Sequence, residues 1–126
     1  YININSMGVI KKVLLVPREK YFIQHLSIIN SMLPVTLTPK EIEVLGSFMS
    51  LTGDIAEQDR FGTTSRKIVK ERLNLSDGGI GNYIKSLKEK GFIYTGEDGN
   101  LRVQEVLEAD KNNQSYLFKI VEDGNN

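Results

Sequence analysis

The 126-residue chain contains no cysteine, which excludes a disulfide framework, a thiolate zinc site and a cysteine nucleophile. It has one histidine, His25, beside an apolar helical stripe, and no Ser-His-acid grouping is legible around it. Long apolar runs are missing too. The longest, Val13 to Val16, falls far short of the roughly 20 residues a membrane span requires. No basic, apolar, small-residue leader opens the sequence. Together these absences are the profile expected of a cytoplasmic protein with no membrane partner.

Net charge is also missing, since 16 basic residues balance 16 acidic ones. The distribution is uneven, however. Residues 1–59 carry 5 basic and 6 acidic groups, residues 60–90 carry 8 and 3, and residues 91–126 carry 3 and 7. A basic block between acidic flanks is a footprint that suits a phosphate backbone, and equally a pair of solvated Lys/Arg-rich helices.

Other motifs fall short of chemistry. Gly78-Gly-Ile-Gly81 has neither an apolar strand before it nor a Gly-Lys-Ser/Thr after it, so it is no phosphate loop. Asp54, Glu57 and Asp59 lack the glycine and closing glutamate of a calcium loop. No catalytic residue, metal or cofactor is expected, and an enzyme is the weakest class.

The hydrophobic pattern predicts a strand at Val9–Val16, then a helix over Arg18–Leu33 with Phe22, Leu26, Ile29 and Leu33 on one stripe. Thr38-Pro-Lys-Glu41 combines an N-cap hydroxyl, proline at the first helical position and glutamate at N3. The helix it opens reaches about Leu51 and is apolar on two sides: Ile42, Leu45 and Met49 form one row, and Val44, Phe48 and Leu51 another. Residues to Gly62 are polar loop with room for one short turn. A helix over Thr64–Leu73 should turn Ile68, Val69 and Leu73 inward and Arg66, Lys67 and Lys70 outward. Asn74-Leu-Ser76 connects it to a third helix reaching Lys90, with Ser76 as N-cap and Gly91 as the left-handed residue beyond its end. Phe92–Thr95, the turn Gly96–Asn100 and Leu101–Val103 read as a hairpin, and Tyr116–Val121 as a final strand. The aromatic residues Tyr21, Phe22, Tyr83, Phe92, Tyr116 and Phe118 occupy core-like positions.

Helix, helix, short turn, helix, strand, Gly-rich turn, strand is the order of a winged helix-turn-helix. Leu37-Thr-Pro-Lys-Glu-Ile-Glu-Val-Leu45 resembles the opening of the helix-turn-helix domain of LuxR/NarL-type response regulators. The chain departs from that family after it, with extra polar residues before the second helix and a hairpin after the third. Ser86-Leu-Lys-Glu-Lys-Gly-Phe-Ile93 is similar to the end of the recognition helix and the first wing strand of MarR-like regulators. The resemblance spans a little over half the chain in short, common patterns, and implies a superfamily. The expected fold is α+β, mainly α: a winged helix-turn-helix at 36–106, an N-terminal strand-helix extension at 1–35, and a C-terminal strand and tail at 107–126.

On a helical wheel, Ile84, Leu87 and Tyr83 fall within about 60° of Ile80, and the opposite face holds Gly78, Asn82, Lys85 and Glu89. In helix-turn-helix docking the N-terminal half of such a face enters the major groove, where Asn82 suits adenine and Lys85 suits guanine or phosphate. The expected DNA-binding residues are Ser65, Arg66, Lys67, Lys70, Gly78, Asn82, Lys85, Ser86 and Arg102, serving transcription regulation or replication on double-stranded DNA. Three features oppose this: the glycines at 78, 79 and 81, the acids Glu97 and Asp98 at the wing tip, and Asp77 at the helix start. They favour the alternative, a winged-helix protein-interaction module within a larger assembly such as a polymerase, a virion or a replication complex.

The N-terminal third is too apolar to be a linker, and two burial schemes are open. Its helix packs on the back of the trihelical core while Val9–Val16 pairs with Tyr116–Val121, or the same elements pair across a twofold axis in a homodimer. The dimer is the favoured expectation, because the helix is apolar on more than one face.

Overall fold

The computed structural model describes residues 2–4 and 10–124. In chain order its elements are β1 (Ile2–Ile4), β2 (Ile10–Lys12), α1 (Arg18–Ile29), α2 (Pro39–Met49), α3 (Asp54–Gln58), α4 (Thr63–Leu73), α5 (Asp77–Glu89), β3 (Ile93–Thr95) and β4 (Leu101–Val103). Short 3-10 turns follow α1 and β4. The architecture is α+β and mainly α, with two separate antiparallel pairs, β1–β2 and β3–β4, among the described residues.

α2 is the centre of the core because its sequence is apolar on two sides. Ile42, Val44, Leu45, Phe48 and Met49 are all buried. Its start is fixed by the capping box: Glu41 N–H donates to Thr38 Oγ1 (3.2 Å) and Thr38 N–H to Glu41 Oε1 (2.8 Å). These two bonds satisfy amide groups that a helix N-terminus otherwise leaves unpaired. α1 packs along α2, and its buried residues Phe22, His25, Leu26 and Ile29 recur at helical spacing. Gly46 permits the approach. A Cβ there would stand 2.6 Å from Ile23 Cγ1 and 2.8 Å from Ile23 N. α4 and α5 pack on α2 as well, and β3 packs on α5. The end of α2 is closed by a side chain from the loop between α3 and α4. Arg60 Nη1 donates to the carbonyls of Phe48, Met49 and Leu51 at 2.9, 3.2 and 3.1 Å.

The predicted helix over Arg18–Leu33 is α1 continued by a 3-10 turn at Asn30–Met32. Its apolar stripe is buried within the chain, as in the first of the two burial schemes. The strand half of that scheme does not form. Only Ile10–Lys12 of the predicted Val9–Val16 strand is extended pairing, and its partner is Ile2–Ile4; Val9 itself lies outside the described residues. Tyr116–Val121 is not a strand. Tyr116 carries this segment to His25 instead, and Leu117, Phe118, Ile120 and Val121 are exposed. Phe118 is therefore no core residue, whereas Phe22 and Phe92 are buried. Ile68, expected inward, is exposed: Val69 and Ser65 occupy the buried side of α4, and Ile68 sits about 100° from Val69.

Candidate nucleic-acid interface

α4 and α5 meet through the three residues Asn74, Leu75 and Ser76. Asn74 adopts the left-handed conformation (φ 55°), which ends α4 and turns the chain, and Leu75 N–H closes the turn on Lys70 O at 2.9 Å. Asparagine tolerates this conformation better than most residues. Ser76 Oγ then accepts Gly79 N–H at 3.0 Å and starts α5. Ile80, Ile84 and Leu87 bury one face of α5, which leaves the opposite face to solvent. Gly91, at φ 81°, releases the chain from α5 into β3. The hairpin keeps the register Ile93↔Val103, Tyr94↔Arg102, Thr95↔Leu101. Its turn is tied to α3, where Asn100 Nδ2 donates to Gln58 O at 3.3 Å.

The outward face of α5 carries Gly78, Asn82 and Lys85, all exposed, together with Lys88 and Glu89. Lys67 is exposed on the outer side of α4. Gly78 and Gly81 have open space where a side chain would stand, so internal packing does not require glycine at either position.

Two residues expected at this surface face inward. Ser65 is 1% exposed, and its hydroxyl donates to Asp59 O at 3.2 Å. Ser86 is half-buried and donates to Glu41 Oε2 at 2.7 Å. In both, the hydroxyl already serves an acceptor inside the fold, which takes it away from the outer surface where it was expected. Three expected cations are engaged. Arg66 Nε donates to Phe61 O (2.7 Å), Lys70 forms an ion pair with Asp77, and Arg102 pairs with Asp98 (2.8 Å). Lys70 holds the Asp77 carboxyl below its usual range.

The basic block thus divides into two groups. Arg60, Arg66, Lys70, Arg72 and Lys90 are bonded within the fold, Arg72 to Ser50 and Lys90 to Glu41. The side chains of Lys67, Lys85 and Lys88 make no hydrogen bond or ion pair among the described residues. Sequence reasoning missed Lys88, which lies only about 80° from the buried direction of Ile80 yet is exposed. It also missed Arg60, whose guanidinium is drawn below its usual range by burial, with Glu108 and Glu57 pulling the other way. Nothing in a one-dimensional pattern marks an arginine that caps a helix through three carbonyls.

Glu41 is the buried ionisable anchor behind α5. Burial alone would raise its pKa. Lys90, the Thr38 N–H and the Ser86 hydroxyl outweigh that and bring it to about 2. Among the described residues no group of three or more metal-binding side chains occurs, and no helix is long and apolar enough to cross a membrane. Comparison with protein families, curated proteins and solved structures returns no match.

Proposed function

We propose that the protein is a winged helix-turn-helix module that docks α5 on double-stranded DNA, in transcription regulation or replication. In this reading α4 and α5 are the helix-turn-helix, with α5 the recognition helix, and β3–β4 is the wing. The observation that carries it is the separation of the basic block. Three lysines with no internal partner, Lys67, Lys85 and Lys88, stand with Asn82 on the outer surface of two helices joined by a three-residue turn.

The chemistry fits a duplex. Lysines at these places neutralise phosphates, and Asn82 offers one donor and one acceptor to an adenine edge. Gly78 and Gly81 would let the backbone of α5 approach the duplex closely, a role for glycine that packing inside the fold leaves open.

A second reading is favoured by the hairpin. Its one cation, Arg102, is paired with Asp98, and Glu97 remains exposed at the turn. Such a wing repels phosphate and suits a protein partner within a larger assembly. The discriminating experiment is fluorescence anisotropy with a random-sequence duplex at low salt, repeated across a salt series. Binding whose logarithm falls linearly with log salt supports DNA. Absence of duplex binding at low salt removes the DNA reading and leaves the protein-interaction module.

A further inference from the structure

His25 is 4% exposed, and both of its ring nitrogens are engaged by the C-terminal segment. Nε2 lies 3.0 Å from Leu107 O and Nδ1 lies 2.5 Å from Tyr116 Oη. A carbonyl only accepts, so Nε2 carries the proton, and Nδ1 accepts from the Tyr116 hydroxyl. Two more side chains of α1 hold the same segment. Tyr21 Oη donates to Asp110 O at 2.6 Å, and Arg18 Nη1 donates to Lys111 O at 2.5 Å. Positions 18, 21 and 25 lie three and four residues apart, on one face of the helix. The chain therefore runs back along α1 from Leu107 to Lys111, and Tyr116 returns to stack on His25, with Phe118 stacked on Tyr116.

We propose that residues 107–118 form a strap closed over α1 by His25, and that protonation of the ring opens it. A neutral ring supplies the one donor and one acceptor that this site uses. A charged ring supplies two donors, so the Tyr116 hydroxyl has to turn round, and the charge lies in a buried place. Among the described residues no carboxylate pairs with His25 to compensate.

The neighbouring ionisable groups give no relief. Tyr21 and Tyr116 have pKa values raised chiefly by burial, so both remain neutral across the window. Glu108 is likewise raised chiefly by burial, with Arg60 acting against that. Asp110 offers Tyr21 its carbonyl, and Arg18 is a further cation. On α2, Glu41 is paired with Lys90 and Glu43 with Lys40. Burial depresses the His25 pKa, while backbone bonds from Leu107 and Glu108 act in the opposite sense. A depressed histidine favours the closed form when neutral, so closure weakens as pH falls below the ordinary value of about 6.5.

Nuclear magnetic resonance tests this on the full chain. Contacts between the His25 and Tyr116 rings, and the heteronuclear Overhauser effect of residues 108–118, are followed from pH 8 to 5 while the His25 titration is read directly. The expected result is loss of the ring contacts and a rise in strap motion with the same midpoint as His25, while α2 and α5 resonances stay in place. His25→Gln, which keeps one donor and one acceptor and cannot charge, should remain closed over the whole range. Tyr116→Phe removes the hydroxyl that favours the neutral ring and should move the His25 midpoint upward. The proposal is overturned by a strap that ignores pH, by opening that persists in His25→Gln, by a midpoint unmoved in Tyr116→Phe, or by one that follows Glu108→Gln instead.

Discussion

Lys90, just past the end of α5, donates to Glu41 in the first turn of α2, with Nζ 2.6 Å from Oε1. The same carboxylate accepts the Thr38 N–H and the Ser86 hydroxyl, so one buried side chain caps α2 and fixes α5 against it. Its pKa of about 2 lies below the ordinary value of 4.5. A depressed carboxylate contributes stability that is fully present above the unfolded pKa and is lost as pH falls through the folded one. Urea melts from pH 6 to 2 should therefore lose about 2–3 kcal/mol from this group between roughly pH 4.5 and 2. Glu41→Gln should be less stable at pH 7 and show a flatter acid limb. An unchanged acid limb in that variant would show that Glu41 does not carry the linkage.

Gly46 is the contact through which α1 reaches α2. Because a Cβ would meet the backbone nitrogen of Ile23 as well as its side chain, rotation of one side chain cannot relieve the overlap. Gly46→Val should destabilise by about 1–3 kcal/mol, as overpacking of close-packed interiors does. Chemical denaturation midpoints measure this, and a variant at least as stable as the parent would mean that the helices separate freely.

Much of this scaffold was legible because local chemistry and burial agree. The Thr38-Pro-Lys-Glu41 box, the Ser76 cap, Gly91 and the two apolar rows of α2 each name one conformation, and each is present. The two ends were less legible: only Ile10–Lys12 of the expected N-terminal strand pairs, and the expected C-terminal strand does not form. A run such as Tyr116–Val121 has strand-like residues but becomes a strand only if a partner edge exists, and pairing over long sequence separation leaves no local trace. The surface was half legible. Wheels placed Asn82 and Lys85 outward correctly, yet a wheel cannot distinguish a solvated lysine from one bonded to another element, as Lys90 is to Glu41 and Lys70 to Asp77.

That division of the cations makes a paired prediction. Arg60→Met strips a guanidinium from three carbonyls at the end of α2 and should cost about 1–3 kcal/mol of stability through the acceptors left without it. Lys67→Ala, on an exposed and unpaired side chain, should leave stability within about 0.5 kcal/mol of the parent. Under the DNA reading Lys67→Ala should weaken all duplexes alike and lower the salt slope by about 1, whereas Lys85→Ala should also change sequence preference. Stability loss in Lys67→Ala would place it among the structural cations.

The glycines of α5 separate function from folding most sharply, because the two effects carry opposite signs. Gly78 and Gly81 sit in helical backbone, with nothing within 4 Å of the point where an alanine methyl would stand. Alanine is favoured over glycine in a helix by about 1 kcal/mol per position. Gly78→Ala/Gly81→Ala should therefore raise the denaturation midpoint. If these residues are glycine so that α5 can lie close to a duplex, the same variant should bind DNA at least tenfold more weakly, although it is the more stable protein. Anisotropy and urea melts on one preparation give both numbers. Unchanged DNA affinity in the stabilised variant would mean that no partner approaches the α5 backbone at these positions, and the close-approach role of the glycines would be lost.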